Sequence, residues 1–305
     1  MNLSILLGCV IFVAADVALA SRNGFAFRGG KSYANCGQVS GSVGGRGLHP
    51  WNVNIQYSNL PGRNAEKRAC TGTLISKRAI LTTGYCVRYD GKTLSTDKIT
   101  VTLGAYDQSD SNERSRQVVK PSSVILHPAY DESSGSGTPN NLALLIFDEP
   151  KIQITDFVKP ACLWSEDFDV QKIVNATGAV VGWALDSDLK QIEKLLPTQL
   201  TVMSNADCTE FYREFQKWVV PTKTLCIAHT NDPGGCAYND GTGFVISKNG
   251  IGFLRAVVRN GLFENDMEKG VTKQYVCEPR KRPLVTDVDF HMDWIVGSVP
   301  DISAL

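Results

Sequence analysis

The side chains that could carry chemistry are sparse in this sequence. Nucleophilic catalysis at neutral pH pairs a hydroxyl or thiol with a base, and histidine has the ordinary pKa best suited to that role. The 305 residues include four histidines, at His49, His127, His229 and His291. No Ser, Thr or Cys adjoins any of them in a recognisable nucleophile motif, and no C-x-x-C pair accompanies them as a metal site would require. These residues predict no metal site and no cofactor.

Cysteine is the other reactive side chain, and its count indicates structural use. The chain has nine cysteines, and Cys9 lies in the opening stretch MNLSILLGCVIFVAADVALA. That stretch is typical of a signal peptide over residues 1–20, with an apolar run and a small-x-small cleavage site. It is too short for a membrane anchor, which needs about 20 apolar residues. Eight cysteines remain after its removal, which predicts four disulfides in a secreted, extracellular chain.

The composition excludes two broad classes of function. Lys and Arg number 31 and Asp and Glu number 31, so the formal charge is zero and a nucleic-acid partner is not expected. No later stretch reaches about 18 uninterrupted apolar residues, so no membrane span is expected. The hydrophobic fraction of 43% is enough for a sizeable core.

The elements that would position any site are mostly short strands. Runs such as WNVNIQYS, CTGTLIS, AILTT and GFLRAVV are bounded by Gly, Pro, Asn, Asp or Ser, which predicts an all-β barrel or sandwich. Two helices are predicted, one capped by Ser204 or Asn205 and one over VDFHMDWIVGSV near the end. Residues 21–41 form a Gly-, Ser- and Arg-rich extension, and SDSNERSRQ is expected to be an exposed loop.

Six stretches, in order, resemble the trypsin/chymotrypsin-like (S1) serine protease family. They are SVGGRGLHPWNV, CTGTLISKRAILTTGYC, NNLALLIF, VKPACLW, GGCAYNDGTGFVI and PLVTDVDFHMDWI. The resemblance covers residues 42–299, leaves 300–305 as a tail, and implies two six-stranded antiparallel β-barrels with a C-terminal helix. It also implies a disulfide framework, with pairs Cys70–Cys86, Cys208–Cys226, Cys236–Cys277 and Cys36–Cys162. The last pair would tether the 21–41 extension.

The same resemblance implies that all three catalytic positions are replaced. The base position falls on Tyr85, whose phenol has an ordinary pKa of about 10 and is a poor proton acceptor near pH 7. The orienting carboxylate falls on Asn141, a neutral amide. The nucleophile falls on Gly241 if one residue is inserted after Cys236, and on Asp240 without that insertion. Neither residue is a serine.

The function that this implies is an inactive, secreted serine protease homolog, similar to arthropod members, that works by protein binding. Such proteins act as cofactors, scaffolds or regulators of active serine proteases or other secreted ligands in haemolymph or reproductive fluid. Two alternatives stay open at this point. One is an enzyme with rebuilt chemistry that uses Asp240 or His127, and the other is a glycan- or surface-binding protein with a basic patch near Arg259 and Arg280. Asn175, in Asn-Ala-Thr, is expected to be glycosylated.

Overall fold

A computed structural model describes residues 36–40, 45–61, 70–131, 139–148, 151–164, 170–183, 193–211, 223–229, 240–258, 284–299 and 302. All of them belong to the second of the two units into which the chain divides, Ser32–Leu305. The predicted signal peptide and residues 21–35 and 41 of the predicted extension lie outside the described residues. In the described part, no helix is long and apolar enough to cross a membrane.

Sixteen strands and two α-helices make up the described part of the chain. The strands are β1 Asn52–Tyr57, β2 Cys70–Ser76, β3 Ala79–Thr82, β4 Arg88–Tyr89, β5 Lys92–Thr93, β6 Ile99–Leu103, β7 Gln117–Val119, β8 Ser123–Leu126, β9 Ala143–Ile146, β10 Cys162–Leu163, β11 Thr177–Gly182, β12 Leu196–Val202, β13 Thr224–His229, β14 Gly243–Lys248, β15 Ile251–Val258 and β16 Leu284–Asp287. The helices are α1 Asn205–Phe211 and α2 Met292–Ser298. Short 3₁₀ helices cover Gly84–Val87, Thr96–Lys98, Val170–Ile173 and Asp289–His291.

The strands form two main sheets, as the sequence predicts. The first has the order β7-β6-β1-β2-β3-β9-β8. In the second, β15, β14, β11, β12, β13 and β16 follow one another, and β16 pairs again with β15, which closes a six-stranded barrel. Strand β10 adds to β15 in parallel. The all-β, trypsin-like fold expectation is therefore confirmed. Of the two six-stranded barrels expected, the second half of the chain forms a closed one, whereas the first sheet stays open among the described residues.

Burial explains why these runs form strands. Every residue of β2, β3 and β9 is buried, so both faces of these central strands are covered and the runs are apolar or Thr-rich rather than alternating.

The structure distinguishes between the two residues predicted to cap the first helix. Ser204 Oγ accepts a hydrogen bond from the Asp207 backbone N at 3.1 Å, which makes Ser204 the N-cap of α1.

Three of the four implied disulfides are present among the described residues. They join Cys36 to Cys162, Cys70 to Cys86 and Cys208 to Cys226. The predicted partners Cys236 and Cys277 lie outside the described residues. The first bond spans 126 residues of sequence and joins Cys36 to strand β10, which belongs to the second sheet.

The barrel of the second half contains a charged cluster in its interior. The Arg255 side chain is 0% exposed, and its guanidinium contacts the carboxylate of Asp287 and lies 3.9 Å from that of Asp289. The guanidinium carbon also lies 5.7 Å from the centre of the Trp164 ring. A buried cation with two carboxylates and an aromatic face beside it is a structural arrangement, because removing the cation would leave buried charge unpaired.

Candidate functional site

Two neighbouring strands bring the first two predicted site residues together. Strands β3 and β9 are antiparallel with Thr82 opposite Ala143. Tyr85 follows the end of β3 by three residues and Asn141 precedes the start of β9 by two, so the register places them side by side. The backbone N of Tyr85 donates a hydrogen bond to Oδ1 of Asn141 at 3.0 Å.

Asn141 is fully buried beneath this contact. Its side chain is 0% exposed, and its Nδ2 has no hydrogen-bond partner within the described parts of the chain. An amide offers one acceptor and one donor group, whereas a carboxylate offers two acceptors. This position can therefore anchor the backbone of Tyr85, but it carries no negative charge with which to hold a cation.

Tyr85 sits at the rim of the site on a rigid support. Its side chain is 37% exposed, and it belongs to the 3₁₀ helix Gly84–Val87. The next residue forms the Cys70–Cys86 disulfide, and the Cys86 carbonyl accepts a hydrogen bond from the Tyr57 hydroxyl at 2.7 Å. The exposed phenol is thus presented by a segment that covalent and hydrogen bonds hold in place.

The third predicted position lies against the same disulfide. The Asp240 carbonyl oxygen accepts a hydrogen bond from the Thr71 backbone N at 2.8 Å and lies 3.4 Å from Cys86 Sγ. The backbone N of Gly241 donates to the Val258 carbonyl at 3.0 Å. The structure therefore brings Tyr85, Asn141 and the 240–241 segment into one site.

Gly241 has no room for a side chain. Its φ is +89°, a conformation that favours glycine. A Cβ added there would lie 2.1 Å from the Thr71 carbonyl oxygen and 2.2 Å from Thr82 Oγ1. A side chain at this position could not be accommodated without displacing backbone. In the ungapped alternative, the nucleophile position falls on Asp240, which is partly buried.

His127, the other group considered for rebuilt chemistry, is occupied in packing. Its ring centre lies 4.8 Å from those of His291 and Trp294 in edge-on contacts, and its Nδ1 accepts a hydrogen bond from the Ala129 backbone N at 3.2 Å. Burial is the main factor that lowers the pKa of His127, with a smaller contribution from Lys223. These contacts dock the C-terminal segment onto the first sheet and leave the imidazole half-buried.

Some predicted site features fall outside the described residues. Arg259 and Arg280, the members of the predicted basic patch, are among them. In the described residues, no group of three or more His, Cys, Asp or Glu side chains could hold a metal ion.

The loop SDSNERSRQ is exposed or half-buried, as expected, at every position except one. Glu113, in the loop that we expected to be exposed, is 6% exposed. Its carboxylate accepts hydrogen bonds from the backbone N of Tyr106 at 2.8 Å and of Asp107 at 3.2 Å, and it pairs with Arg46 at 2.7 Å. The correction has a physical reason: the carboxylate satisfies two backbone donors of its own loop. The partner Arg46 is 67 positions earlier, and no local pattern signals that pairing.

Comparison with known proteins finds similarity to serine proteases of the trypsin family. A family model described as Trypsin matches residues 38–277. Serine protease gd of Drosophila melanogaster is 23% identical over 278 residues, which cover 83% of this chain and 51% of that protein. CLIP domain-containing serine protease B15 of Anopheles gambiae is 28% identical over 265 residues, with 82% and 66% covered. Phenoloxidase-activating factor 3 of Holotrichia diomphalia is 27% identical over 270 residues, with 83% and 70% covered. The chain thus spans about half to two thirds of the length of the first two of these relatives.

Proposed function

Since the chain belongs to the trypsin family of serine proteases, we propose that it is a secreted, non-catalytic member that acts by binding other extracellular proteins. The observation that carries this proposal is the contact between the Tyr85 backbone and the buried Asn141 side chain. It supports the assignment of these two residues to the base and carboxylate positions of the family. Neither residue has the chemistry that those positions need.

The site lacks a group that could accept a proton from a nucleophile. A hydroxyl nucleophile needs a neighbouring group that accepts its proton near neutral pH, and a phenol with an ordinary pKa of about 10 does so poorly. A carboxylate normally stabilises the protonated base, and the amide of Asn141 has no charge with which to do so. At the third position Asp240 has no hydroxyl, and Gly241 has no side chain. We infer that the site cannot form an acyl-enzyme by the family's mechanism.

The same geometry supports a binding role. Tyrosine is one of the residue types enriched at the energetic centres of protein interfaces. Tyr85 exposes over a third of its surface from a disulfide-anchored 3₁₀ helix. A rigid anchor loses little conformational entropy when a partner binds. We propose Tyr85 as a contact residue for the partner.

The relatives suggest the class of protein to which such a partner belongs. Their names describe serine proteases and a phenoloxidase-activating factor. By extension, this chain would act as a cofactor, scaffold or regulator of an active serine protease or another secreted protein, in a fluid such as haemolymph or a reproductive secretion.

The test combines capture with a matched pair of variants. The purified full chain is immobilised and exposed to the native fluid, and the bound proteins are identified by mass spectrometry. The affinity of each recovered protein is then measured with wild type, Tyr85→Ala and Val118→Ala. Val118 is 61% exposed on strand β7 and serves as the control for loss of an exposed apolar side chain.

We expect saturable binding that weakens at least tenfold in Tyr85→Ala, in the range of an interface hot spot, and that Val118→Ala leaves unchanged. Turnover of peptide substrates by the wild-type chain would contradict the non-catalytic assignment. Equal binding by Tyr85→Ala and wild type would remove Tyr85 from the interface.

A further inference from the structure

The sequence has a single candidate site for N-linked glycosylation after residue 20. Asn175, Ala176 and Thr177 form an Asn-x-Thr sequon, and no other Asn in residues 21–305 is followed by that pattern. Asn2 also precedes a Leu-Ser pair, but it lies in the predicted signal peptide. A glycosylated mature chain would therefore carry its sugar at one place.

The structure places this sequon on a rigid, outward-facing turn. Asn175 lies between the 3₁₀ helix Val170–Ile173 and strand β11, with φ of +68° and an exposed side chain. Its backbone N donates to the Val202 carbonyl at 2.9 Å, and the Ala176 backbone N donates to the Ile173 carbonyl at 2.9 Å. The turn is thus held on both sides while its side chain faces solvent. Asparagine tolerates this left-handed conformation better than most other residues do.

Thr177, the second residue that a sequon needs, is exposed as well. It is the first residue of β11 and lies opposite Thr201 on β12, with the two hydroxyl oxygens 3.5 Å apart. Within the described parts of the chain, the Asn175 side chain makes no hydrogen bond or ion pair that modification of its amide would break. A glycan here would extend from the surface without burying any polar group of the barrel.

We propose that Asn175 carries an N-linked glycan in the mature protein. In the reaction, Nδ2 of Asn175 displaces the diphosphate of a lipid-linked oligosaccharide from the anomeric carbon. A C–N bond forms, the C–O bond to the lipid diphosphate breaks, and one amide proton is lost with the leaving group. The site rests on the secreted location given under the proposed function, since this reaction takes place in the secretory pathway.

The backbone of this turn dictates which variants test the site. Glutamine at position 175 would be strained at φ of +68°. Asn175→Gln would therefore lose both the glycan and some folding stability, and the two effects could not be separated. Thr177→Val removes the hydroxyl but keeps a β-branched residue that suits the strand. Thr177→Ser is the matched control, because it keeps a functional sequon. Asn175→Asp gives a second glycan-free variant that tolerates the left-handed conformation.

The experiment expresses the full chain in human cells and examines both medium and cell extract. Peptide mass spectrometry before and after peptide:N-glycosidase F, which converts a glycosylated Asn to Asp, locates the glycan. We expect one glycan, at Asn175, on wild type and Thr177→Ser, and complete loss of it in Thr177→Val and Asn175→Asp. The proposal is overturned if the secreted wild-type chain has an unmodified Asn175. It is also overturned if Thr177→Val and Asn175→Asp both still carry the glycan. A chain that stays unmodified in the cytosol overturns the proposal together with the secreted location. Secretion and occupancy are scored separately, so the two failures are distinguishable.

Discussion

Replacing Gly241 with alanine tests the geometry at the centre of the site. Gly241 and Gly250 both have positive φ, +89° and +78°. They differ in the space around them. A Cβ at 241 would lie 2.1 Å from the Thr71 carbonyl oxygen and 2.2 Å from Thr82 Oγ1, whereas a Cβ at 250 would meet nothing within 4 Å. Gly250→Ala is therefore a control for the backbone effect alone.

The expected magnitudes follow from these two contributions. A left-handed conformation costs an alanine roughly 1 kcal/mol relative to glycine, and this applies to both variants. Forcing a methyl group against packed backbone costs a further 1–3 kcal/mol or so. The clash at 241 involves a carbonyl that already accepts a hydrogen bond from the buried Thr82 hydroxyl at 2.7 Å, so we place Gly241→Ala at the upper end. We expect a loss of about 3–4 kcal/mol for Gly241→Ala and about 1 kcal/mol for Gly250→Ala.

The assay is unfolding by denaturant and, separately, by heat, with the disulfides intact and followed by tryptophan fluorescence, for wild type and both variants. At about 2–4 °C for each kcal/mol, thermal midpoints should fall by roughly 6–16 °C for Gly241→Ala and roughly 2–4 °C for Gly250→Ala. If the two variants unfold within about 1 kcal/mol of each other, there is space at 241. The close packing of Gly241 against Thr71 and Thr82 would then be contradicted.

Buried polar groups elsewhere in the chain lead to three further predictions. Burial lowers the pKa of His49 and of His291 from 6.5 to about 4. The unfolded chain therefore binds more protons between these values, and the stability that is present above about pH 6.5 should fall, by about 3 kcal/mol per histidine, as pH drops towards 4. Denaturant midpoints that stay constant over this window would refute that expectation. Glu113→Ala should cost about 2–4 kcal/mol because two backbone amides and a guanidinium lose their acceptor, whereas the exposed Arg114→Ala should cost less than about 0.5 kcal/mol. Arg255→Met should cost about 3–5 kcal/mol by leaving two buried carboxylates without their cation, and an unchanged midpoint would contradict this.

The fold was predictable because its signals are local and ordered. Short apolar runs bounded by turn residues indicated strands, and six stretches in family order fixed how they connect. The contact between Tyr85 and Asn141 was also predictable in outline. Both residues adjoin strands that the resemblance pairs, so the register alone brings them together.

Other features depend on contacts that no local pattern encodes. The lack of space beside Thr71 and Thr82 at Gly241 could not be predicted from the sequence, because it depends on how distant segments pack. The burial of Glu113 was missed because its polar loop is typical of exposed segments. Its partners are backbone amides and an arginine distant in sequence, and only the folded chain shows that they satisfy its charge.

The most direct test of the central claim is reaction of the purified full chain with an alkyl fluorophosphonate, which modifies the activated serine of trypsin-family enzymes. Intact-mass spectrometry after incubation at neutral pH reports any adduct, with active trypsin as the positive control and the heat-denatured chain as the negative control. We predict that the native chain gains no mass while trypsin is fully modified. A stoichiometric adduct on the native chain that denaturation abolishes would contradict it.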